Sequence, residues 1–283
     1  MWSLSTLDAT GKWLIGAGIP LITVVWMRYL SHLVLMSCLV IPKWGLGILR
    51  SKSSRFQYLR AVTMLAASFC LFAALRYLPQ AQSTAIAFMA PLIMLAIAPW
   101  FLGEPKRLSR WIAAGIGFLG VLIVVRPGAG LDPIGVMFAF GAALFLAFQH
   151  ITTRKLAVDN PMTTLLWGGW VGTALSSVLM FLDLENQIDI LSKLSVFEWV
   201  VMISLGLTGG IGHLMQIQAY RQAPASLLAP LIYLQITSAA AMGWIIWGDF
   251  PDRLTWIGIA VICSSGAGIT IFEWQQKKRS QVS

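Results

Sequence analysis

The sequence predicts an all-α integral membrane protein with about ten transmembrane helices in two inverted five-helix repeats. Three observations lead to this prediction: an apolar composition, a segment that occurs twice, and an uneven distribution of Lys and Arg. Of the 283 residues, 58% are hydrophobic and 11% are charged, whereas soluble domains carry about 25% charged residues. The composition therefore favours a polytopic membrane protein over a soluble one.

Apolar runs long enough to cross a bilayer follow one another along the chain. A spanning helix needs about 20 mostly apolar residues, and uninterrupted runs of this length indicate helices rather than barrel strands. Most of the loops between the runs are too short to hold a separate domain. The sequence predicts spans at residues 1–18, 20–42, 57–78, 82–102, 111–126, 134–153, 162–182, 198–217, 225–247 and 254–273.

One stretch of the chain occurs twice, at residues 74–112 and again at 219–257, with a constant offset of 145. Such a recurrence indicates a duplicated architecture. We expect a first repeat at 1–127, with its first helix truncated at the N-terminus, a second repeat at 134–273, and a basic cytoplasmic tail at 274–283. The matched positions include Ala74 and Ala219, Arg76 and Arg221, Pro79 and Pro224, Gly103 and Gly248, and Glu104 and Asp249.

The basic residues lie mainly on one side of the predicted membrane. The loops at 43–56, 103–110, 154–161 and 218–224 and the tail together hold thirteen Lys and Arg, whereas the opposite loops hold four. This asymmetry predicts that both termini face the cytoplasm. It also accounts for the net charge of +9 without a nucleic-acid partner. Because each repeat has an odd number of spans, the two repeats must be inverted.

Glycine runs and cysteines are interpreted as parts of the helix packing. The GxGxxG at 115–120 lies inside a membrane helix, where close packing explains it better than dinucleotide binding. The cluster at 206–212 is open to two interpretations, packing or a bending point. The three cysteines are isolated and have no metal-ligand spacing, so we expect no metal site.

Ionisable residues inside the first two predicted helices are candidates for function, because such groups are costly in a membrane. Asp8 and Lys12 are four residues apart, as are Arg28 and His32, so each pair shares a helix face. The members of each pair could neutralise one another or line a cavity. Arg28 lies too far from either helix end to reach the membrane surface freely.

A second group of polar candidates lies in the eighth and ninth predicted helices. His213, Gln216 and Tyr220 fall on one helical stripe, and Gln235 lies in the middle of the next helix. Interhelical hydrogen bonding and a polar cavity both remain open for this group. His150, near the end of the sixth helix, is interpreted as a residue of the membrane interface.

No motif in the sequence places a nucleophile beside a base, and no Walker, HExxH or CxxC pattern occurs. Membrane enzymes need a reactive cluster at a membrane surface, and the loops here are short and basic. We therefore expect neither an enzyme nor a bound cofactor.

The repeated stretch resembles a known family. ALRYLPQAQSTAIAFMAPL and WFLGEPKRLSRWIAAGIGFLGVLIVVRP, with the second copy AYRQAPASLLAPLIYLQ and GDFPDRLTWIGIAVI, are similar to the EamA-type domain of the drug/metabolite transporter superfamily. DATGKWL and WMRYLSH resemble a branch with proposed carriers for S-adenosylmethionine and riboflavin. The resemblance implies ten helices, inverted repeats and a central cavity that opens to either side in turn.

We therefore expect a secondary transporter of the bacterial inner membrane that moves a small organic metabolite, amino-acid-like or nucleoside- or vitamin-like, by alternating access. Its expected partners are that substrate, membrane lipid and a coupling proton or counter-substrate. Arg28 would meet an anionic group, and Asp8 either a cationic group or the proton. The alternative is a non-transporting membrane sensor or scaffold. The expected substrate-binding or gating residues are Asp8, Lys12, Arg28, His32, His213, Gln216, Tyr220 and Gln235.

Overall fold

The computed structural model describes residues 1–102, 108–126, 131–222 and 225–282, without the side chains of 95, 220, 225–234, 273 and 276–282. Twelve α-helices and no β-strand occur within these ranges. The repeat positions Gly103, Glu104 and Pro224 lie outside them. The helices are α1 Trp2–Gly16, α2 Leu21–Trp44, α3 Ser54–Tyr77, α4 Gln80–Ala87, α5 Ala90–Leu102, α6 Leu108–Val125, α7 Pro133–Lys155, α8 Pro161–Phe181, α9 Leu184–Lys193, α10 Val196–Gln222, α11 Ala225–Trp247 and α12 Arg253–Val282.

Seven of the described helices, α2, α3, α6, α7, α8, α10 and α12, are long and apolar enough to cross a membrane. The number rises to eight if α4 and α5 form one bent span. Helix α1 has 15 residues, or about 22 Å, which is shorter than a hydrocarbon core of about 30 Å. The prediction of an all-helical membrane protein is confirmed.

The fourth predicted span is broken where the sequence analysis expected one straight helix. Helix α4 ends at Ala87, four residues before Pro91. The axes of Gln80–Met94 and Ala96–Leu102 then differ by 48°, and Pro99 follows this second bend by four residues. A proline cannot donate to the carbonyl four residues earlier, and its ring clashes there. The two prolines therefore account for the two breaks.

Two further segments of the chain differ from the prediction. The loop at 183–197 contains the short helix α9, whose Gln187 side chain accepts a hydrogen bond from Thr23 on α2. Helix α12 continues to Val282, so the basic tail expected at 274–283 is an extension of the last helix. Helix α9 and the part of α12 beyond residue 273 both lack the run of about 20 apolar residues by which the spans were predicted.

The helices pack closely where glycine replaces a side chain. On α6, a Cβ added at Gly120 would lie 3.0 Å from the Gly258 carbonyl oxygen and 2.8 Å from Ile262 on α12. On α10, a Cβ at Gly206 would overlap the α2 backbone at Ser31 and His32. These approaches confirm the packing interpretation at Gly120 of the first glycine run and favour it for Gly206.

Polar groups outside the spans fasten the helix ends. Asp159 accepts hydrogen bonds from Ser51, from the Lys52 backbone N–H and from the Gln57 amide. Burial acts to raise the pKa of Asp159, but these hydrogen bonds and the Lys52 charge outweigh it, so the pKa lies below its usual value. The loop before α8 is thereby fixed to the start of α3.

Candidate functional site

An open cavity lies between helices of both halves of the chain. Its walls come from α1, α2, α3, the α4–α5 break, α7, α10 and α11. Five of the eight residues predicted from the sequence line it. The lining residues are Leu4, Leu7, Asp8, Arg28, Met64, Ala67, Ser68, Leu71, Phe72, Thr84, Ala87, Phe88, Ala90, Pro91, Leu146, Gln149, His150, His213, Gln216 and Gln235.

Arg28 is the positively charged group of this cavity among the described lining residues. Its side chain is buried and donates to the Ser68 hydroxyl on α3 and, at 3.0 Å, to His213 Nε2 on α10. Because a guanidinium can only donate, Nε2 accepts, and the His213 proton is on Nδ1. The Phe72 ring centroid lies 5.7 Å from the guanidinium carbon. Three helices thus hold the cation in one position.

Asp8 is the acidic residue of the cavity among the described lining residues. Its carboxylate is buried, and its single hydrogen bond to a described residue is a long one of 3.5 Å from the Gln235 amide on α11. The neighbouring Ser5 hydroxyl contacts Ser238 and the Gln235 carbonyl. Helix α1 is thereby attached to the middle of α11, and the carboxylate faces the cavity.

The break between α4 and α5 forms part of the cavity wall. Phe88 and Pro91 lie at the break, and Thr84 lies one turn earlier; all three line the cavity. The buried Thr84 hydroxyl has no hydrogen-bond partner among the described residues. Interrupted helices at the membrane centre are tolerated where they line a cavity, and transporters use them to form substrate sites.

Gln149 and His150 on α7 also line the cavity, and the sequence analysis missed this role. The interpretation of His150 as an interfacial residue is wrong, because its side chain is 6% exposed and lies inside the bundle. The Gln149 Oε1 atom is buried without a partner among the described residues. Two adjacent polar residues at the end of an otherwise apolar helix were the available signal.

Lys12 does not lie at the cavity. Its ammonium group is 3.2 Å from the Asp249 carboxylate, just beyond α11, and 4.4 Å from the centroid of the Trp247 ring. The possible pairing of Asp8 with Lys12 on one face of α1 is thus replaced by a contact between the two halves of the chain. The acid at 249 is nearer because α1 and α11 run side by side, and Asp8 is turned toward the cavity.

His32 lies behind Arg28 rather than in the main cavity. It donates from Nε2 to the Leu165 carbonyl at 3.2 Å and lines a smaller pocket together with Arg28 and His213. Gln216 lines the main cavity and is partly buried. The Tyr220 side chain lies outside the described residues.

A second buried arginine was not predicted. Arg60 on α3 is 1% exposed and donates to the Thr153 hydroxyl on α7 and to the Thr164 carbonyl on α8. The sequence analysis passed over Arg60 because it lies near the start of its span, where basic residues usually reach the membrane surface. The described residues contain no group of three His, Cys, Asp or Glu that could hold a metal.

Comparisons with known proteins agree with this architecture. Residues 1–126 and 133–271 each match the model of the EamA-like transporter family. The chain is 26% identical to an S-adenosylmethionine uptake transporter of Rickettsia bellii over 92% of this chain and 87% of that protein. It is also 26% identical to a riboflavin transporter of Vibrio cholerae over 92% and 86% of the two chains.

The fold is similar to that of a solved protein. One crystal structure aligns with a TM-score of 0.66 over 97% of both chains, at 17% sequence identity. At this identity the likeness concerns the fold alone. With two family matches that together cover most of its length, the chain belongs to the EamA-like transporter family.

Proposed function

We propose that the protein is a secondary transporter that moves a small organic metabolite across the bacterial inner membrane by alternating access. The observation that carries the proposal is the cavity, in which Asp8 and Arg28 face an open space in the middle of an apolar bundle. Charges in such a position are costly and are retained for function. The transporter names of the relatives support the same class.

The proposal includes ten membrane segments in two inverted repeats. The ten are the seven described spans, the bent α4–α5 pair, α1 and α11. The helix packing supports the repeat, because the most extensive helix contacts have counterparts when the halves are exchanged. Helix α3 packs on α7 as α10 packs on α1, and α4 and α5 pack on α7 as α11 packs on α1. The contact of α6 with α12 and that of α2 with α8 each map onto themselves when the halves are exchanged.

We further propose that both termini face the cytoplasm, on the side with thirteen of the loop Lys and Arg residues. In that orientation Gln149 and His213 lie toward the cytoplasmic ends of α7 and α10. The contact of Lys12 with Asp249, and that of the Gln80 amide with the Ser5 carbonyl, lie toward the opposite end. This arrangement supports a state in which the outer side is closed.

Uptake into proteoliposomes tests the proposal. The panel contains labelled S-adenosylmethionine, riboflavin, and aromatic and branched amino acids, each measured with and without a pH gradient. We expect one compound to accumulate with the wild-type protein and not with Arg28→Ala, while the surface variant Lys193→Gln behaves as wild type. A dependence on the pH gradient would identify the proton as the coupling ion. Accumulation that is unchanged in Arg28→Ala would contradict the assigned site.

A further inference from the structure

We propose that Arg28 and Asp8 are the two poles of a site for a zwitterion, so that one molecule presents an anionic group to Arg28 and a cationic nitrogen to Asp8. This inference rests on the proposed function, because it names the substrate class of the same cavity. It selects the amino-acid-like class over the nucleoside- or vitamin-like class.

The first argument is that the two charges lie in one cavity without meeting each other. Among the described lining residues, Asp8 is the one carboxylic acid and Arg28 is the one guanidinium. No nitrogen–oxygen contact within 4.0 Å joins them. Both have neutral partners, Ser68 and His213 for Arg28 and Gln235 for Asp8. Two opposite charges that shared a purely structural role would be expected to pair.

The second argument concerns unused hydrogen-bonding capacity. A guanidinium has five N–H donors, and a carboxylate accepts about four hydrogen bonds. Arg28 makes two hydrogen bonds to described residues, and Asp8 makes one long hydrogen bond of 3.5 Å. Arg28 is held from both sides by Ser68 and His213, so its fork is fixed before a ligand arrives. A planar carboxylate is the group that such a fork binds best.

The third argument is selectivity by charge. An anion without a cationic group would satisfy Arg28, but it would be repelled by the Asp8 carboxylate. A cation without an anionic group would be attracted by the Asp8 carboxylate but repelled by the Arg28 guanidinium. A zwitterion compensates both buried charges and adds no net charge to the bundle, where an uncompensated charge is most costly.

The remaining residues of the cavity wall indicate what kind of side chain the substrate carries. Leu7, Met64, Phe72, Phe88 and Leu146 give the cavity a largely apolar surface. The oxygens of Thr84 and Gln149, which have no hydrogen-bond partner in the described part of the chain, add two polar positions. An amino acid with an apolar or aromatic side chain fits this combination.

Thermal unfolding of the purified full-length protein in detergent tests the inference without a transport assay. The zwitterions are L-phenylalanine and L-methionine. The matched probes with a single charge are L-phenylalaninamide, which is a cation, and 3-phenylpropionate, which is an anion, and riboflavin is the probe without a zwitterionic group. We expect at least one zwitterion to raise the melting temperature, with an apparent Kd about 10- to 100-fold below that of each single-charge probe.

Substitutions at the two poles should reverse this order in opposite directions. Asp8→Asn should bind 3-phenylpropionate more tightly than wild type does, because the repelling charge is gone. Arg28→Gln should gain affinity for L-phenylalaninamide. Lys193→Gln on α9, where the lysine side chain is 71% exposed and does not line the cavity, should keep the wild-type order. Since the wild-type comparison needs no variant, it remains decisive if a variant fails to fold.

The outcomes separate the two proposals. Binding of riboflavin or of a single-charge probe as tightly as any zwitterion overturns the inference, and so does the absence of stabilisation by every zwitterion. Either result leaves the transporter proposal to be judged by uptake. Zwitterion binding with the expected order, but without uptake of any compound in proteoliposomes, supports the inference and contradicts the proposed transport.

Discussion

The contact between Lys12 and Asp249 offers a prediction whose size can be worked out from the structure. At 3.2 Å, two unit charges attract by about 5 kcal/mol with an effective dielectric constant of about 20. Desolvation and the ordering of two side chains offset most of this attraction, and exposed pairs retain about 0.2–1 kcal/mol. The side chains here are 15% and 38% exposed, and Trp247 lies against the ammonium group. We therefore expect a net coupling of about 1 kcal/mol, near the top of that range.

A double-mutant cycle with Lys12→Met and Asp249→Asn measures this coupling. The free energy of unfolding is followed in mixed micelles for the wild type, both single variants and the double variant. The pair of Lys193 with Asp189 on α9 is the matched control, because its side chains are 71% and 55% exposed and its spacing in a helix gives about 0.3–0.5 kcal/mol. A coupling for Lys12 and Asp249 no larger than that of the control would refute the assignment of this pair as a fastening between the two halves.

Two further predictions concern the helix packing and the loop charges. Gly120→Ala should destabilise the protein by about 1–3 kcal/mol, because the new Cβ meets the Gly258 carbonyl at 3.0 Å. Gly115→Ala on the same helix is the control, because its new Cβ meets nothing within 4 Å, and it should be neutral or stabilising by up to about 1 kcal/mol. Equal melting temperatures of the two variants would contradict the packing account. The hydrogen bond from Arg126 holds the pKa of Asp252 below its usual value, so this pair stabilises the fold above about pH 4 and the gain is lost as the pH falls further. The melting temperature of wild type should therefore exceed that of Asp252→Asn at pH 7, and the difference should shrink below pH 4. A difference that grows on acidification would contradict the lowered pKa of Asp252.

The sequence was informative about the seven spanning helices because each is an apolar run of membrane length. The sequence was less informative where the place of a residue in the fold outweighed its local sequence pattern. Pro91 and Pro99 are compatible with a continuous membrane helix, and only the three-dimensional course of α4 and α5 reveals that the helix breaks and that Pro91 lines a cavity. The short helix α9 has too few apolar residues to be found by a search for spans.

The candidate site was partly predictable for a similar reason. Asp8, Arg28 and Gln235 stand out because polar groups are rare in membrane helices, and all three line the cavity. The partner of Lys12 was not predictable from spacing, because Asp249 is 237 residues away. Gln149 and Arg60 lie near predicted helix ends, where a surface role is the usual explanation. Their inward direction is set by the packing of α3 against α7 and α8, which no periodicity in the sequence encodes.

The most direct test of alternating access is the accessibility of Thr84, which lines the cavity. Thr84→Cys is introduced into a variant with Cys38, Cys70 and Cys263 replaced, and a membrane-impermeant maleimide is added to right-side-out or inside-out vesicles. Ala74→Cys is the control, because Ala74 is fully buried in the core and should not react from either side.

We predict that the Thr84→Cys thiol reacts from both sides of the membrane, and that Asp249→Asn increases the rate from outside and lowers it from inside. That result would mean that a single cavity opens to each side in turn and that the Lys12–Asp249 contact closes the outer one. Reaction from one side only, with and without Asp249→Asn, would contradict the account.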